Sequence, residues 1–365
     1  MTPAFLTVPI TVLGLETSCD DTAAAVVRVA SDAPVAVLSS VVLGQDGEHA
    51  PYGGVVPEIA ARAHVEAIEI IAGRALAEAG VEAGDLDAIA ATAGPGLVGG
   101  VMVGLSFGKA MALALGKPLI AVNHLEGHAV SVRLAADVPY PYLLLLVSGG
   151  HCQLLEVAGI GICRRLGTTL DDAAGEVFDK IAGALGLAYP GGPALERLAT
   201  GGDPNRYILP RALEGREGCD FSFSGLKTAA ARLAATLETA EDRRDLAAGV
   251  QAAIARQLVE RTGRAIELYL DGHPGNRRLV VAGGVAANGA VRAALAALAS
   301  ERGFQFVAPP LAYCTDNAAM IALAGAERLA MGWVDGLDAP ARPRWPLDEA
   351  AARLRPTHLA GRKGA

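Results

Sequence analysis

Residues 13–22 read Leu-Gly-Leu-Glu-Thr-Ser-Cys-Asp-Asp-Thr, an apolar strand that breaks into a tight polar turn and leads into a second apolar strand. The layout returns at residues 142–157, where Tyr-Leu-Leu-Leu-Leu-Val meets Ser148-Gly149-Gly150-His151 and an apolar stretch follows. A turn of small and hydroxyl residues between two strands gathers backbone N–H groups into one concavity, which is how phosphate is held. The chain therefore reads as two similar halves, each opening on a strand, a turn and a strand.

Outward from the first turn, residues 11–16, 23–29 and 35–43 read as a three-strand meander. Pro57 can open a helix over 58–79 that Gly80 stops. A strand at 87–92, a helix at 98–115, a strand at 118–122 and a helix from His124 then alternate, which implies a parallel sheet and an α/β class. After the Pro-containing break at 137–141 the pattern restarts. Helices are expected at 171–187, 225–235 and 243–270, a strand at 278–282, and a helix from about Ala287 behind the turn Gly283-Gly284-Val285-Ala286-Ala287-Asn288, whose glycines allow a nucleotide to approach the backbone. These readings divide the chain into residues 11–138, residues 139–332 and a tail at 333–365. The tail is rich in Pro, Arg and Ala and is expected to be peripheral or partly disordered.

With 365 residues, 52% of them hydrophobic and 19% charged, the chain can bury two substantial cores. The apolar start has no basic flank, so neither a secretory nor a transit signal is expected. Long apolar stretches such as 101–115 are broken by Gly104, Gly108 and Lys109 and read as buried helices rather than membrane spans. Five scattered cysteines without Cys-x-x-Cys spacing fit a reducing, cytoplasmic compartment. A net charge of −8 argues against a broad nucleic-acid surface. Local cations remain, at Arg206, Arg211, Arg216, Lys227 and Arg232, and in the tail at Arg342, Arg344, Arg353, Arg355, Arg362 and Lys363. A solvated face explains such patches equally well.

Residues 124–128 read His-Leu-Glu-Gly-His. Positions four apart share a helix face, so His124 and His128 can offer both imidazoles to one cation, with Asp316 of the later Tyr313-Cys314-Thr315-Asp316-Asn317 cluster as third ligand. Such a set leaves coordination positions open, which suits catalysis or substrate orientation. An ordinary pair of core histidines is the competing reading. A metallopeptidase of the His-Glu-x-x-His kind is disfavoured because Glu126 lies two positions after His124, roughly 200° around the helix.

LGLETSCDDT at 13–22, GVVPE at 54–58, GPGLVGG at 94–100, NHLEGH at 123–128, LVSGGH at 146–151, DDAAGEVFDK at 171–180, YPGGP at 189–193, FSFSGLKT at 221–228, GGVAAN at 283–288 and CTDN at 314–317 follow one another in order. Together they resemble the tRNA N6-adenosine threonylcarbamoyltransferases, called TsaD in bacteria. That family belongs to the actin, sugar-kinase and heat-shock chaperone superfamily, and the resemblance covers roughly residues 11–332. It implies two RNase H-like (actin-like ATPase) domains with a nucleotide and metal cleft between them, the first also carrying a partner or dimer face. The implied reaction moves a threonylcarbamoyl group from threonylcarbamoyl-AMP to N6 of adenosine 37 in tRNAs that read codons beginning with A, with release of AMP.

The resemblance places His124, His128 and Asp316 on a divalent metal, iron or zinc. It puts Leu146, Val147, Ser148, Gly149 and Gly150 at the donor, and Asp179, Gly192 and Asn288 on the rest of the adenylate, with Asp179 and Glu196 near the ribose. No general base is assigned among Glu16, Asp20 and Asp21. Implied partners are tRNA, the paralogue TsaB and the small ATPase TsaE, with TsaC making the adenylate and no membrane involved. Cys152, Thr168 and Ala61 depart from the family's usual residues without touching a proposed ligand. An ATP-dependent kinase of the same superfamily and a scaffold that has lost its chemistry are the remaining alternatives.

Overall fold

The computed structural model describes residues 8–52 and 54–354. The opening strands β1 (Ile10–Glu16), β2 (Asp21–Val29) and β3 (Ala36–Gly44) form the expected antiparallel meander. A short α1 (Asp46–His49) leads to α2 (Pro57–Ala79), which starts on Pro57 and ends where Gly80 takes a left-handed φ of 63°. Strand β4 (Ala88–Gly94), helix α3 (Val98–Leu115), strand β5 (Leu119–Asn123) and helix α4 (His124–Val130) follow. Among the described residues α3 is the one helix long and apolar enough to cross a membrane by length and composition. Here it covers the first sheet, burying Val101, Leu105 and Ala112.

The second half repeats the plan with β6 (Tyr142–Val147), β7 (Cys152–Gly159) and β8 (Ile162–Thr168). Helices α5 (Ala174–Ala184), α6 (Gly191–Ala199), α7 (Ser224–Ala234) and α8 (Ala240–Gly272) are followed by β9 (Arg278–Ala282), α9 (Gly289–Glu301) and β10 (Gln305–Val307). The chain closes with α10 (Ala318–Ala330) and α11 (Glu349–Leu354). One sheet runs β3-β2-β1-β4-β5 and the other, in the same pattern, β8-β7-β6-β9-β10. In each, a three-strand antiparallel meander is continued by parallel strands, the order expected of two RNase H-like units.

Burial arranges these elements in layers. Helices α2 and α3 cover one face of the first sheet, and the other face packs on α10. Helices α5, α7, α8 and α9 cover one face of the second sheet, while Leu125 and Ala129 of α4 meet its other face at Leu144, Leu146 and Val280. Helices α4 and α10 thus form the middle layer. Close approach there depends on two glycines. A Cβ at Gly14 would fall 2.2 Å from Ala318 O, and one at Gly127 would fall 2.8 Å from Ile321 Cδ1.

Several expectations are corrected. Strand β8 was not foreseen, because Arg164 and Arg165 break its apolar alternation at a sheet edge. Neither was α6, which the Gly-Gly-Pro start disguises as a turn. The helix expected over 171–187 begins only at Ala174, because the Asp171 carboxylate is used elsewhere. It accepts the Ser222 hydroxyl (2.6 Å), the Ser224 hydroxyl (2.7 Å), the Phe223 N–H (2.7 Å) and the Ser224 N–H (3.2 Å), fastening the FSFSG segment to the start of α5.

The largest correction concerns the C-terminal part. Helix α10, assigned by position to residues 139–332, packs on β1, β2 and β4 of the first sheet and is buried at every position from Ala318 to Glu327. The tail, expected to be peripheral or partly disordered, is peripheral but ordered, a strap as far as the structure describes it. Asp335 N–H donates to Leu119 O (2.9 Å) and its carboxylate accepts Ala121 N–H (2.9 Å). Arg342 N–H donates to Ala93 O (2.6 Å), Asn123 Nδ2 donates to Trp345 O (2.9 Å), and Trp345 packs against the α2–α3 core. Asp348 then accepts Arg165 N–H of β8 (2.9 Å), so the strap joins both halves. Arg355, Arg362 and Lys363 lie outside the described residues.

Candidate metal centre

Asn123 ends β5 and caps α4 with its side-chain oxygen, accepting Leu125 N–H at 2.9 Å. That cap sets His124 as the first helical residue and His128 one turn on, both buried in the middle layer. Their rings meet edge to face with centroids 4.7 Å apart. Asn317 caps α10 in the same way, accepting Met320 N–H (3.0 Å), and so delivers Asp316 immediately before that helix. Asp316 Oδ1 lies 3.1 Å from His128 Nε2 and 3.5 Å from His124 Nε2. The three candidate ligand atoms fall within 4.8 Å of one another. Two residues from α4 and one from a point 188 positions later in the chain are thus brought together.

The unused nitrogen of His124 shows that this set suits a cation. Glu16, at the end of β1, is buried and accepts the Thr92 hydroxyl (2.6 Å) and the Ser18 N–H (2.6 Å). Its Oε2 sits 2.8 Å from His124 Nδ1, with Ser18 Oγ 3.2 Å from the same nitrogen. A carboxylate at Nδ1 keeps a proton there and directs Nε2 toward Asp316, so that Nε2 is the nitrogen whose lone pair a cation would take in place of a proton, the arrangement found behind metal-binding imidazoles. His128 Nδ1 is buried without a hydrogen-bond partner among the described residues, so that ring is aimed by packing and by Asp316 at its Nε2 rather than by a partner behind it.

Charge follows from this geometry. Burial opposes the His124 imidazolium, but Glu16 and Asp316 outweigh it and raise the ring to about 9. Burial likewise opposes the Glu16 and Asp316 carboxylates, yet His124 holds Glu16 below its ordinary range, and His124 and His128 do the same for Asp316. Without a metal, these opposed shifts favour an imidazolium between two carboxylates. Asp21 behaves differently: burial, then Asp316 and Asp20, push it up to about 7. Glu126 is spent elsewhere, paired with Arg328 (2.7 Å) and accepting Gly161 N–H (2.6 Å), which removes it as the general base of a peptidase.

The expected donor residues are placed less uniformly. Leu146 and Val147 have fully buried side chains in β6, so any ligand contact from them is confined to main chain. The turn beyond them is pinned by Ser148 N–H to His151 O (2.8 Å) and by Gly175 N–H to Ser148 O (3.2 Å). Gly283, at φ 94°, lets the Gly-rich strand-to-helix turn press on Val147, since a Cβ there would lie 2.4 Å from Val147 O. Side chains at Gly149, Gly150 and Gly192 would meet open space.

Asp179 and Asn288 already have structural tasks. Asp179 accepts Gly191 N–H (2.9 Å) at the start of α6, and burial raises its carboxyl above the ordinary value. Asn288 caps α9 through Val291 N–H (3.0 Å) and donates to Gln251 Oε1 (2.9 Å). Glu196 accepts Gly289 N–H (2.7 Å), which ties α6 to α9. Sequence reasoning missed Glu16 as the partner of His124. It also missed Arg292, whose guanidinium donates to Ala286 O (3.0 Å) and Pro309 O (3.3 Å) and so joins the Gly-rich turn to the segment bearing Asp316.

A family model described as TsaD, tRNA N6-adenosine threonylcarbamoyltransferase, matches residues 36–323. The chain belongs to this family. A protein named tRNA N6-adenosine threonylcarbamoyltransferase from Caulobacter vibrioides is 74% identical over 355 residues, covering 97% of each chain. One of the same name from Maricaulis maris is 61% identical, covering 97% of this chain and 96% of the relative. Among solved structures, HypF of T. kodakarensis has a TM-score of 0.58 at 18% identity over 89% of this chain and 49% of its own. Component A of the Acidaminococcus fermentans (R)-2-hydroxyglutaryl-CoA dehydratase has a TM-score of 0.51 at 15% identity over 88% and 99%. These two share the fold. The chain is therefore a transferase of tRNA threonylcarbamoylation with two RNase H-like units, and neither the kinase nor the peptidase alternative gains support.

Proposed function

We propose that the chain transfers the threonylcarbamoyl group of threonylcarbamoyl-AMP to N6 of adenosine 37 in tRNAs that read codons beginning with A, using a divalent metal, iron or zinc, held by His124, His128 and Asp316. The observation that carries this reading is the convergence of those three side chains, with Glu16 behind His124, where α4 meets the N-terminal end of α10. The donor is a mixed anhydride and already activated, so the protein's task is to position and polarise. The N6 lone pair attacks the carbamoyl carbonyl carbon, a C–N bond forms, the bond from that carbon to the phosphate oxygen breaks, and AMP leaves with the electron pair while N6 gives up a proton. When bound, the metal supplies Lewis acidity toward the donor.

The chain's own groups do the rest. Glu16 keeps the His124 proton on Nδ1 and frees Nε2 for the cation. The turn at 148–150 takes the phosphate side of the donor, and Asp179, Gly192, Glu196 and Asn288, fixed by the α6 and α9 caps, take the remainder of the adenylate. The turn at 19–21 faces the reacting end. TsaB and TsaE are the working partners, TsaC supplies the donor, and the reaction takes place in the cytoplasm.

The test supplies the purified chain and its partners with threonine, bicarbonate, ATP and unmodified tRNA, and measures the modified nucleoside by mass spectrometry. Product with wild type and its loss with His124→Ala is the expected result. Undiminished product from His124→Ala removes the metal set from the mechanism, and sugar phosphorylation without modified tRNA replaces the reading with a kinase.

A further inference from the structure

Three consecutive carbonyls of the first turn are each held from outside it. Ser18 O accepts Leu97 N–H (2.8 Å), Cys19 O accepts from His64 Nε2 (3.1 Å), and Asp20 O accepts Gln45 N–H (3.2 Å). The middle bond is the end of a longer chain of contacts. His64, buried on the inner face of α2, has its Nδ1 2.7 Å from Thr22 Oγ1 and 3.2 Å from Gln45 Nε2. Gln45 Oε1 is 3.1 Å from His49 Nε2, and His49 Nδ1 accepts Val56 N–H at 3.3 Å. His49, Gln45, His64 and Thr22 are all almost fully buried.

The direction of these bonds follows from their two ends. Val56 N–H can only donate, so His49 Nδ1 accepts and its proton sits on Nε2. That proton requires an acceptor, which places Gln45 Oε1 toward His49 and Gln45 Nε2 toward His64. Cys19 O can only accept, so His64 carries its proton on Nε2 and receives from Thr22 and Gln45 at Nδ1. Reversing the Gln45 amide would set two donors against each other at His49 and leave His64 Nδ1 needing a proton it can hold only as a buried cation. Burial favours the neutral ring, lowering His64 from its ordinary value.

The turn gripped in this way borders the metal centre. Ser18 Oγ lies beside His124 Nδ1, and Tyr189 OH donates to Asp20 Oδ2 (3.4 Å), so the same few residues touch α4 on one side and the second half of the chain on the other. We propose that His64 is a positioning residue for the transfer reaction, the last member of a one-directional buried relay, Val56 to His49 to Gln45 to His64 to Cys19, that fixes the Cys19–Asp21 backbone at the reacting end. This rests on the placement of that turn given under Proposed function. The two requirements on His64, one acceptor and one donor on the same side chain, can also be met by a glutamine amide but not by an aliphatic group.

The test compares His64→Leu, His64→Gln and Gln45→Leu in the reconstituted transfer assay, with folding checked by circular dichroism and metal content measured on the same samples. His64→Leu is expected to cut kcat roughly 10- to 100-fold, the scale of an ångström-sized misplacement, with KM for tRNA within about twofold. His64→Gln restores most of kcat. Gln45→Leu lowers kcat comparably, and His64→Leu with Gln45→Leu falls no further than either alone, because links in series fail once. Unchanged kcat in folded His64→Leu, no recovery in folded His64→Gln, or multiplying losses in the double variant overturns the proposal. Independently of turnover, long-range proton–nitrogen NMR of the wild-type histidines should show Nε2–H tautomers at His49 and His64, and an Nδ1–H tautomer at either refutes the relay. If wild type makes no product while both tautomers are as stated, the functional reading fails and the relay stands.

Discussion

Replacing Glu16 by glutamine tests the metal centre most sharply, because two opposing effects can be separated by pH. Glu16 aims His124 through the 2.8 Å contact at Nδ1, and loss of such a partner costs about 10- to 100-fold in metal affinity. Glu16, together with Asp316, also raises the metal-free ring to about 9, so at pH 7.5 a cation entering the wild type must first displace a proton. The penalty is about 30-fold, with roughly one proton released. Wild-type affinity should climb about tenfold per pH unit up to pH 9 and level off above it. In Glu16→Gln burial and Asp316 remain while the larger of the two raising partners is gone, so the ring falls from about 9 toward its ordinary 6.5 and affinity changes less over that range. The two proteins should bind Zn2+ almost equally at pH 7.5 and differ by about 10- to 100-fold above pH 9. Calorimetric titration in buffers of different ionisation enthalpy, with a competing chelator, reads affinity and released protons together. Wild-type affinity that does not change between pH 7 and 9, or equal affinities above pH 9, refutes the reasoning.

Three further outcomes follow from packing and hydrogen bonding. Asp171→Ala strands four donors of the FSFSG segment and should cost roughly 2 to 3 kcal/mol in denaturant unfolding. Burial alone would raise the Asp171 carboxyl, but bonds from Ser222, Ser224 and Phe223 hold it below the ordinary 3.8. The gap between the two proteins should thus be full above about pH 5 and close as pH falls through the lowered value; a gap independent of pH contradicts this. Gly14→Ala drives a methyl group into Ala318 O and Ala322 N and should destabilise by roughly 1 to 3 kcal/mol, visible as a lower Tm, whereas an unchanged Tm would mean α10 does not rest on β1. Trp345→Ala should cost roughly 2 to 4 kcal/mol and open residues 336–353 to limited proteolysis; cleavage no faster than in wild type argues against the strap.

Short-range signals made most of the architecture legible. Helix α3 and strands β6 and β9 occupy the residues read from sequence, and Pro57 with Gly80 bounds α2 because both act through their own backbone geometry. The repeated strand, turn and strand correctly announced two sheets of matching order. What stayed hidden depends on distant partners. Helix α10 is apolar on all sides, since it is buried between a sheet and another helix, and such a helix carries no stripe to say which sheet it serves. The strap lacks periodicity altogether and is held by the backbone carbonyls of Ala93 and Leu119 and by the side-chain amide of Asn123. At the site, the four-residue spacing of His124 and His128 could be read from the chain, but Glu16, 108 positions from His124, could not. Asp179 and Asn288 show the converse, motif residues whose visible work is to cap helices.

The middle-layer position of α10 reaches into how the protein is made. Strands β1, β2 and β4 leave the ribosome early, yet the helix that covers one of their faces is translated about 300 residues after β1. At bacterial elongation rates that is an interval of about 15 to 60 s. During that time Val12, Ala23, Ala25, Val27 and Ala90 lack the α10 residues they pack against, and Val130 and Leu134 are what the first half itself offers to that cluster. The later-synthesised sheet has its helices α5 to α9 close at hand and can complete its core first. The first sheet therefore cannot complete its core until the chain is nearly finished.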